Sequence, residues 1–227
     1  MSRSTSAAGT DPGPGTPQDP GAAARRTGRP RSAAADRAIL GATRAALVEL
    51  GWSRLTLGDV AARAGVAKTT LYRRWPGKNE LVVDALAELF DELELPADGG
   101  SLDADIAGVV LQFAALLERP EVRTALMAVV VEATHDDELR TRIRRAIVDR
   151  QKRLVLQGRA RARRRGELAP DEDPAEAARQ ADLIFDVVAG TVVHRTLVSC
   201  EDVDPAWARS LAALVAAGLG AGPADRT

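Results

Sequence analysis

Apolar residues recur every three or four positions along most of this chain, and the runs between polar breaks set out a series of helices. Ile39, Thr43, Ala46, Leu47 and Leu50 form one stripe, predicting a helix from about Ala33 to Leu50 that Gly51 ends and Trp52 packs beneath. Leu57, Val60, Ala61 and Ala64 form a second, shorter stripe. Thr56 stands where a hydroxyl caps that helix, and Gly65, followed by the corner-sealing Val66, stops it by taking the left-handed conformation at low cost. A further short helix is predicted from Lys68 or Thr69 to Trp75, with Leu71 and Trp75 on its inner face. Pro76-Gly77-Lys78 breaks the chain, and Asn79 to about Leu93 turns Val82, Val83, Leu86, Leu89 and Phe90 inward.

The remainder continues in the same period. Helices are predicted from Ser101 or Leu102 to Leu117, from Pro120 to about Thr134, and from Asp136 or Asp137 to about Arg165. Gly166 to Pro174 reads as a polar loop, followed by apolar helices from Ala175 to Ser199 and from Asp204 or Pro205 to Leu219. No strand pattern and no internal repeat interrupts the series. The fold class is therefore all-α.

Apolar content of 45% supports a core, but aromatics are only 3%, so aliphatic side chains must fill it. A net charge of −1 conceals a division. Residues 25–80 hold 12 Lys/Arg against 4 Asp/Glu, a net +8, whereas residues 81–227 hold 18 against 26, a net −8. A basic N-terminal module on an acidic body suits a nucleic-acid reader joined to a domain of another kind. Within that module the outer face of the second short helix carries Lys68, Thr70, Tyr72, Arg73 and Arg74, groups that bond phosphates or base edges. Apolar behind and basic in front is the layout of a helix-turn-helix, with double-stranded DNA as its partner. Residues 1–24, rich in Gly, Pro, Ser, Thr and Ala, are expected to be disordered. The Arg25–Arg31 stretch after them, including Arg29 and Arg31, reads as an arm reaching phosphates or the minor groove, with a solubilising tail as the bland alternative.

Other classes have less support. No GxxxxGK phosphate loop occurs, two histidines and one cysteine offer little for a metal, and no cofactor is expected, so the enzyme reading is disfavoured. The lone Cys200 suits a reducing cytoplasm, and neither a membrane span nor a signal peptide is read. The basic run from Arg140 to Arg165 is read as a solvated face paired with carboxylates, with a second DNA surface as the alternative.

LTLGDVAARAGVAKTTLYRRWPGKNEL, from Leu55 to Leu81, together with the helix before it, resembles the TetR/AcrR family of transcriptional regulators over about Ala33 to Leu86. The resemblance implies a three-helix DNA-binding head over residues 33–78, a helical regulatory and dimerisation domain over 79–220, and a frayed tail at 221–227. It implies a homodimer, each head placing its third helix in one half of a palindromic operator. Matching positions imply DNA contacts from Thr56, Lys68, Thr69, Thr70, Tyr72 and Lys78, the lysine holding phosphate. Arg74 stands where many members have histidine, adding a possible bidentate guanine contact, and Gly58 lacks the polar side chain some members place there. Thr70 and Arg74 are thus the expected readers of sequence.

In that family the C-terminal helices enclose an apolar cavity for a small-molecule effector, and its binding moves the heads apart. Phe113, Met127, His135, Phe185, His194, Arg195 and Trp207 are the candidates here, each with an ordinary core or surface role as its alternative. For the dimer, Ile184, Val188, Thr191, Arg195 and Val198 follow one face of the penultimate helix, and Trp207, Leu211, Leu214, Val215 and Leu219 follow the last. Two such helices from each subunit would form a four-helix bundle, with burial inside one subunit as the alternative. The function expected is a ligand-responsive dimeric repressor, against an architectural DNA-binding protein without a sensor.

Overall fold

Gly51, at φ 73° and ψ 170°, breaks the first helix after Leu50, and the chain resumes for one more turn to Arg54. In the computed structural model, which describes residues 29–170 and 173–219, α1 spans Arg29–Arg54 and so begins four residues before the predicted start. The lead of residues 1–24, Arg25 to Gly28 of the arm, and the tail from residue 220 lie outside the described residues. Three helices complete the head and its link to the body: α2 (Leu57–Ala64), α3 (Lys68–Tyr72) and α4 (Lys78–Phe90). The body continues with α5 (Leu102–Glu118), α6 (Pro120–Ala133), α7 (Asp137–Ile143), α8 (Asp149–Arg164), α9 (Pro174–Val193) and α10 (Pro205–Gly218). Among the described residues there is no strand.

Boundaries follow the local chemistry. The Thr56 hydroxyl accepts the Asp59 N–H at 3.2 Å while Asp59 Oδ2 accepts the Thr56 N–H at 3.2 Å, a reciprocal cap on α2. Gly65 at φ 65° ends that helix, and the Val66 N–H returns to the Ala61 carbonyl at 3.0 Å. Ser101, Asp136, Asp173 and Asp204 cap α5, α7, α9 and α10 through their side chains.

Two predicted long helices are not regular throughout. A π-helical turn at Arg144–Val148 separates α7 from α8, and another at His194–Val198 ends α9. Periodicity alone does not register such a turn, because one extra residue rotates the stripe without erasing it.

α4 is apolar nearly all round because it is covered on every side. Leu81, Val82, Val83, Ala85, Leu86, Ala87, Leu89 and Phe90 are all buried, packed against α1 of the head and α6 and α7 of the body. One continuous core results, running from Ile39 and Leu47 in the head through Leu86 to Val110, Leu117 and Val215. Arg44 reinforces it, pairing α1 to Glu88 of α4 at 2.6 Å. At the far end, α5 lies along α10.

Candidate nucleic-acid interface and effector cavity

α3 has only five residues, so its position depends on the anchors at its two ends. Leu71 is fully buried and Trp75 nearly so, pulling one face of the α3 segment into the core of the head, with α3 packed beside α2. The opposite face is open: Lys68, Thr69, Tyr72 and Arg73 are exposed, Tyr72 at 55%, with Thr70 half-buried beside them. Thr56, at the start of α2, is exposed as well. A Cβ on Gly58 would lie 3.1 Å from Lys68 Cε and Nζ, so the glycine leaves the space that the Lys68 side chain crosses. Arg63 pairs with Glu49 at 2.6 Å, and the bonded guanidinium holds the Glu49 carboxyl below its ordinary range.

Two of the expected contacts sit differently from their neighbours. Arg74 is ion-paired to Asp36 of α1 and largely covered, so its guanidinium faces the head's own scaffold instead of standing out as a base reader. Lys78 is half-buried, its ammonium 4.4 Å from the centre of the Trp52 ring and donating to the Trp52 carbonyl at 3.2 Å. An ammonium has three donors, so two remain for a phosphate. Arg29 and Arg31 fall in the first turn of α1. The basic run in α7 and α8 is largely committed to carboxylates: Arg140 to Asp137, Arg142 to Asp84, Arg150 to Asp91, and Lys152 to Asp182 at 2.5 Å.

One link between head and body has no counterpart in the sequence reading. Asp84 of α4 accepts the Trp75 indole N–H at 2.8 Å through Oδ2, and Arg142 of α7 grips both its oxygens at 3.0 and 2.6 Å. The carboxylate thus joins the end of the α3 segment to the body. An isolated Asp in an apolar helix, four residues before Glu88, gave no signal of this.

The body holds an apolar cavity of about 100 Å³ between α4, α5, α8 and α9. Phe113 and Phe185 line it, as do Ile184 and Val188. Met127, His135, His194 and Arg195, the other expected ligand contacts, do not. Met127 and His135 are exposed around α6, and His194 is exposed on the π-helical turn. Arg195 is held by Glu201 at 2.7 Å, the Asp202 carbonyl at 2.8 Å and the Trp207 ring at 4.8 Å, which also accounts for Trp207. Three polar residues missed by the sequence reading line the cavity: Asp105, Gln151 and Arg159. Gln151 and Arg159 looked like members of the solvated run, since only the packing of α8 against α5 and α9 turns that face inward.

The residues expected on the dimer face divide between the interior and the surface. Ile184 and Val188 point into the cavity and Leu211 into the core, with Thr191 half-buried. The exposed apolar residues of the last helices are instead Leu183 (64%), Val187, Val198 (59%) and Leu214 (71%), of which only Val198 and Leu214 were expected.

Comparison with known proteins decides the family. Residues 39–85 match the bacterial regulatory proteins of the tetR family, and residues 96–215 match the tetracyclin repressor-like C-terminal domain. The chain belongs to the TetR family. It is 31% identical over 162 residues to the HTH-type transcriptional regulator Mb1581 of Mycobacterium bovis, covering 70% of this chain and 75% of that one. It is 33% identical over 174 residues to the DNA-binding transcriptional repressor TetR of Mycobacteroides abscessus, covering 74% and 83%. Among solved structures, the TetR-family regulator SCO0332 superposes with a TM-score of 0.66 at 29% identity, covering 81% of this chain and 97% of that one. As a TetR-family member this chain is a DNA-binding transcriptional regulator and not an enzyme. No described helix is long and apolar enough to cross a membrane.

Proposed function

We propose that this TetR-family regulator is an operator-specific homodimeric repressor, acting in the cytoplasm, that releases DNA when a small apolar effector enters the body cavity. The observation that carries the reading is the Asp84 link. It ties Trp75, behind the α3 segment, to Arg142, just ahead of the π-helical turn and of α8, which lines the cavity. A shift of α8 on effector binding would therefore be felt at the DNA-facing helix. The repressor name of the Mycobacteroides abscessus relative supports the direction of control.

In this reading Lys68, Thr69, Thr70, Tyr72 and Arg73 enter the major groove, Thr56 and Lys78 hold phosphate, and Arg29 and Arg31 extend the grip. Arg74 is reassigned to the scaffold because of Asp36. Dimerisation takes place through Leu183, Val187, Val198 and Leu214. The cavity weighs against a purely architectural DNA-binding protein, which has no use for one. Footprinting on the upstream region of the protein's own gene tests the proposal. A protected palindrome is expected; equal binding to random DNA would overturn it.

A further inference from the structure

Glycine destabilises a helix relative to alanine, and Gly58, the second residue of α2, has no backbone reason to be there. Its φ lies outside the left-handed region, which among the described glycines holds Gly51, Gly65, Gly100 and Gly166. The reason lies in what a side chain would meet. A Cβ at this point would stand 3.1 Å from both Cε and Nζ of Lys68, closer than ordinary van der Waals contact, and 3.5 Å from the Thr56 hydroxyl. Lys68 is exposed and opens α3, yet the end of its side chain folds back over the first turn of α2. There its ammonium makes no hydrogen bond or ion pair with any described residue. The Asp59 carboxyl, held low chiefly by the Thr56 hydroxyl, also feels this charge. That hydroxyl is itself committed, donating to Asp59 Oδ2 at 2.6 Å. The uncommitted side-chain donors at this place are those of Lys68.

Building on the reading above that the open face of the α3 segment meets DNA, we infer that Gly58 is a positioning residue: its missing side chain seats the Lys68 ammonium on α2, where it grips a backbone phosphate at the edge of the major groove. A free lysine samples many rotamers, and ordering its stem on binding lowers affinity. The bare surface at Gly58 orders that stem before DNA arrives. An ammonium is a compact point charge with rotatable donors, which suits a phosphate better than the mixed donor and acceptor edge of a base. The seat also joins the two helices. Lys68 begins α3 and lies across α2, so one phosphate contact fixes both against the DNA backbone. What α2 loses in helix stability at Gly58 is offset by a lysine already in place.

The test measures binding of the full-length protein to two labelled duplexes by fluorescence anisotropy across salt concentrations. One is the upstream region of its own gene; the other is a random sequence, which offers the same phosphates but not the same bases. Lys68→Ala is expected to weaken both alike and to lower the slope of log affinity against log salt by about one phosphate's worth. Gly58→Ala should weaken both about threefold, the low end of what ordering a long side chain is worth. Its melting temperature should hold or rise, because alanine is the better helix former. The deciding protein carries both changes: with no lysine to displace, Gly58→Ala should cost less than about 1.5-fold. Equal losses in the two backgrounds overturn the inference, since the methyl would then be meeting DNA or the head itself. Wild-type binding by Gly58→Ala overturns it as well, as does a Lys68→Ala loss confined to the upstream duplex, which would make Lys68 a base reader. Should Gly58→Ala lower the melting temperature, Lys68→Ala must restore it, because of the neighbours of that Cβ only Lys68 stands closer than ordinary contact; failure to restore it is a further refutation. Tyr72→Ala separates this inference from the reading beneath it. Unchanged binding by both Lys68→Ala and Tyr72→Ala removes the DNA face itself, whereas a loss in Tyr72→Ala alone removes only the seat.

Discussion

Single side chains in the head divide between gripping DNA and holding the gripper. Lys78→Ala is expected to weaken binding on every sequence and to lower the slope of log affinity against log salt by about one phosphate's worth, as measured by fluorescence anisotropy across salt concentrations. Arg74→Ala should lower thermal stability and affinity for all operators alike, because its partner is Asp36 and not a base; a changed operator preference would restore the base-reading role. Asp59 introduces a pH dependence. The Thr56 hydroxyl hydrogen bond, opposed in part by desolvation and aided by the Thr56 N–H and nearby Arg63 and Lys68, holds its carboxyl below the ordinary value. The unfolded chain therefore takes up this proton first as pH falls. The capping contribution is full above the unfolded value of about 3.9 and is lost as pH drops through the lower folded value. Melting curves of wild type and Asp59→Ala should accordingly differ most near neutral pH and converge on strong acidification.

At the scale of elements, α4 is the shared wall between head and body, and Asp84 is its one carboxylate bonded in both directions. Asp84→Asn removes the charge that Arg142 and the Trp75 indole both address. The amide can still accept from Trp75 through its oxygen, so folding and operator binding should persist. Effector-driven release should fall several-fold, read as the effector concentration needed to displace a labelled operator. The two π-helical turns lie at related places, one at the entry to α8 and one at the exit from α9, the helices that line the cavity. Both elements were legible as helices from their stripes. The extra residue in each was not, because it rotates the apolar stripe without erasing it.

On the last helices the fold leaves Leu183, Val187, Val198 and Leu214 exposed, the face proposed above for dimerisation. Leu183→Glu with Leu214→Glu places charge on that face without touching the cavity, since neither residue lines it. Sedimentation should then show a monomer with a near-native helical spectrum, and operator affinity should drop by more than tenfold, on the order of what losing bivalent engagement costs. An unchanged dimer would move the interface elsewhere, for example to the exposed Val130 and Val131 of α6.

Much was determined by sequence alone. The helix order, the Thr56 cap, the Gly65 stop, the inward Leu71 and Trp75 and the +8 head on a −8 body all depend on local backbone preference and near-neighbour spacing, which short stretches of chain encode directly. Tertiary structure decided which side of an apolar helix met the interior. Ile184 and Leu183 are adjacent and equally apolar, yet one lines the cavity and the other faces out. The same packing took Arg74 from the DNA face to Asp36, and Gln151 from a basic, solvated-looking run to the cavity wall. A helix's period is written in its sequence. Its rotation is set by partners distant along the chain, and the chemistry of the cavity depends on that rotation.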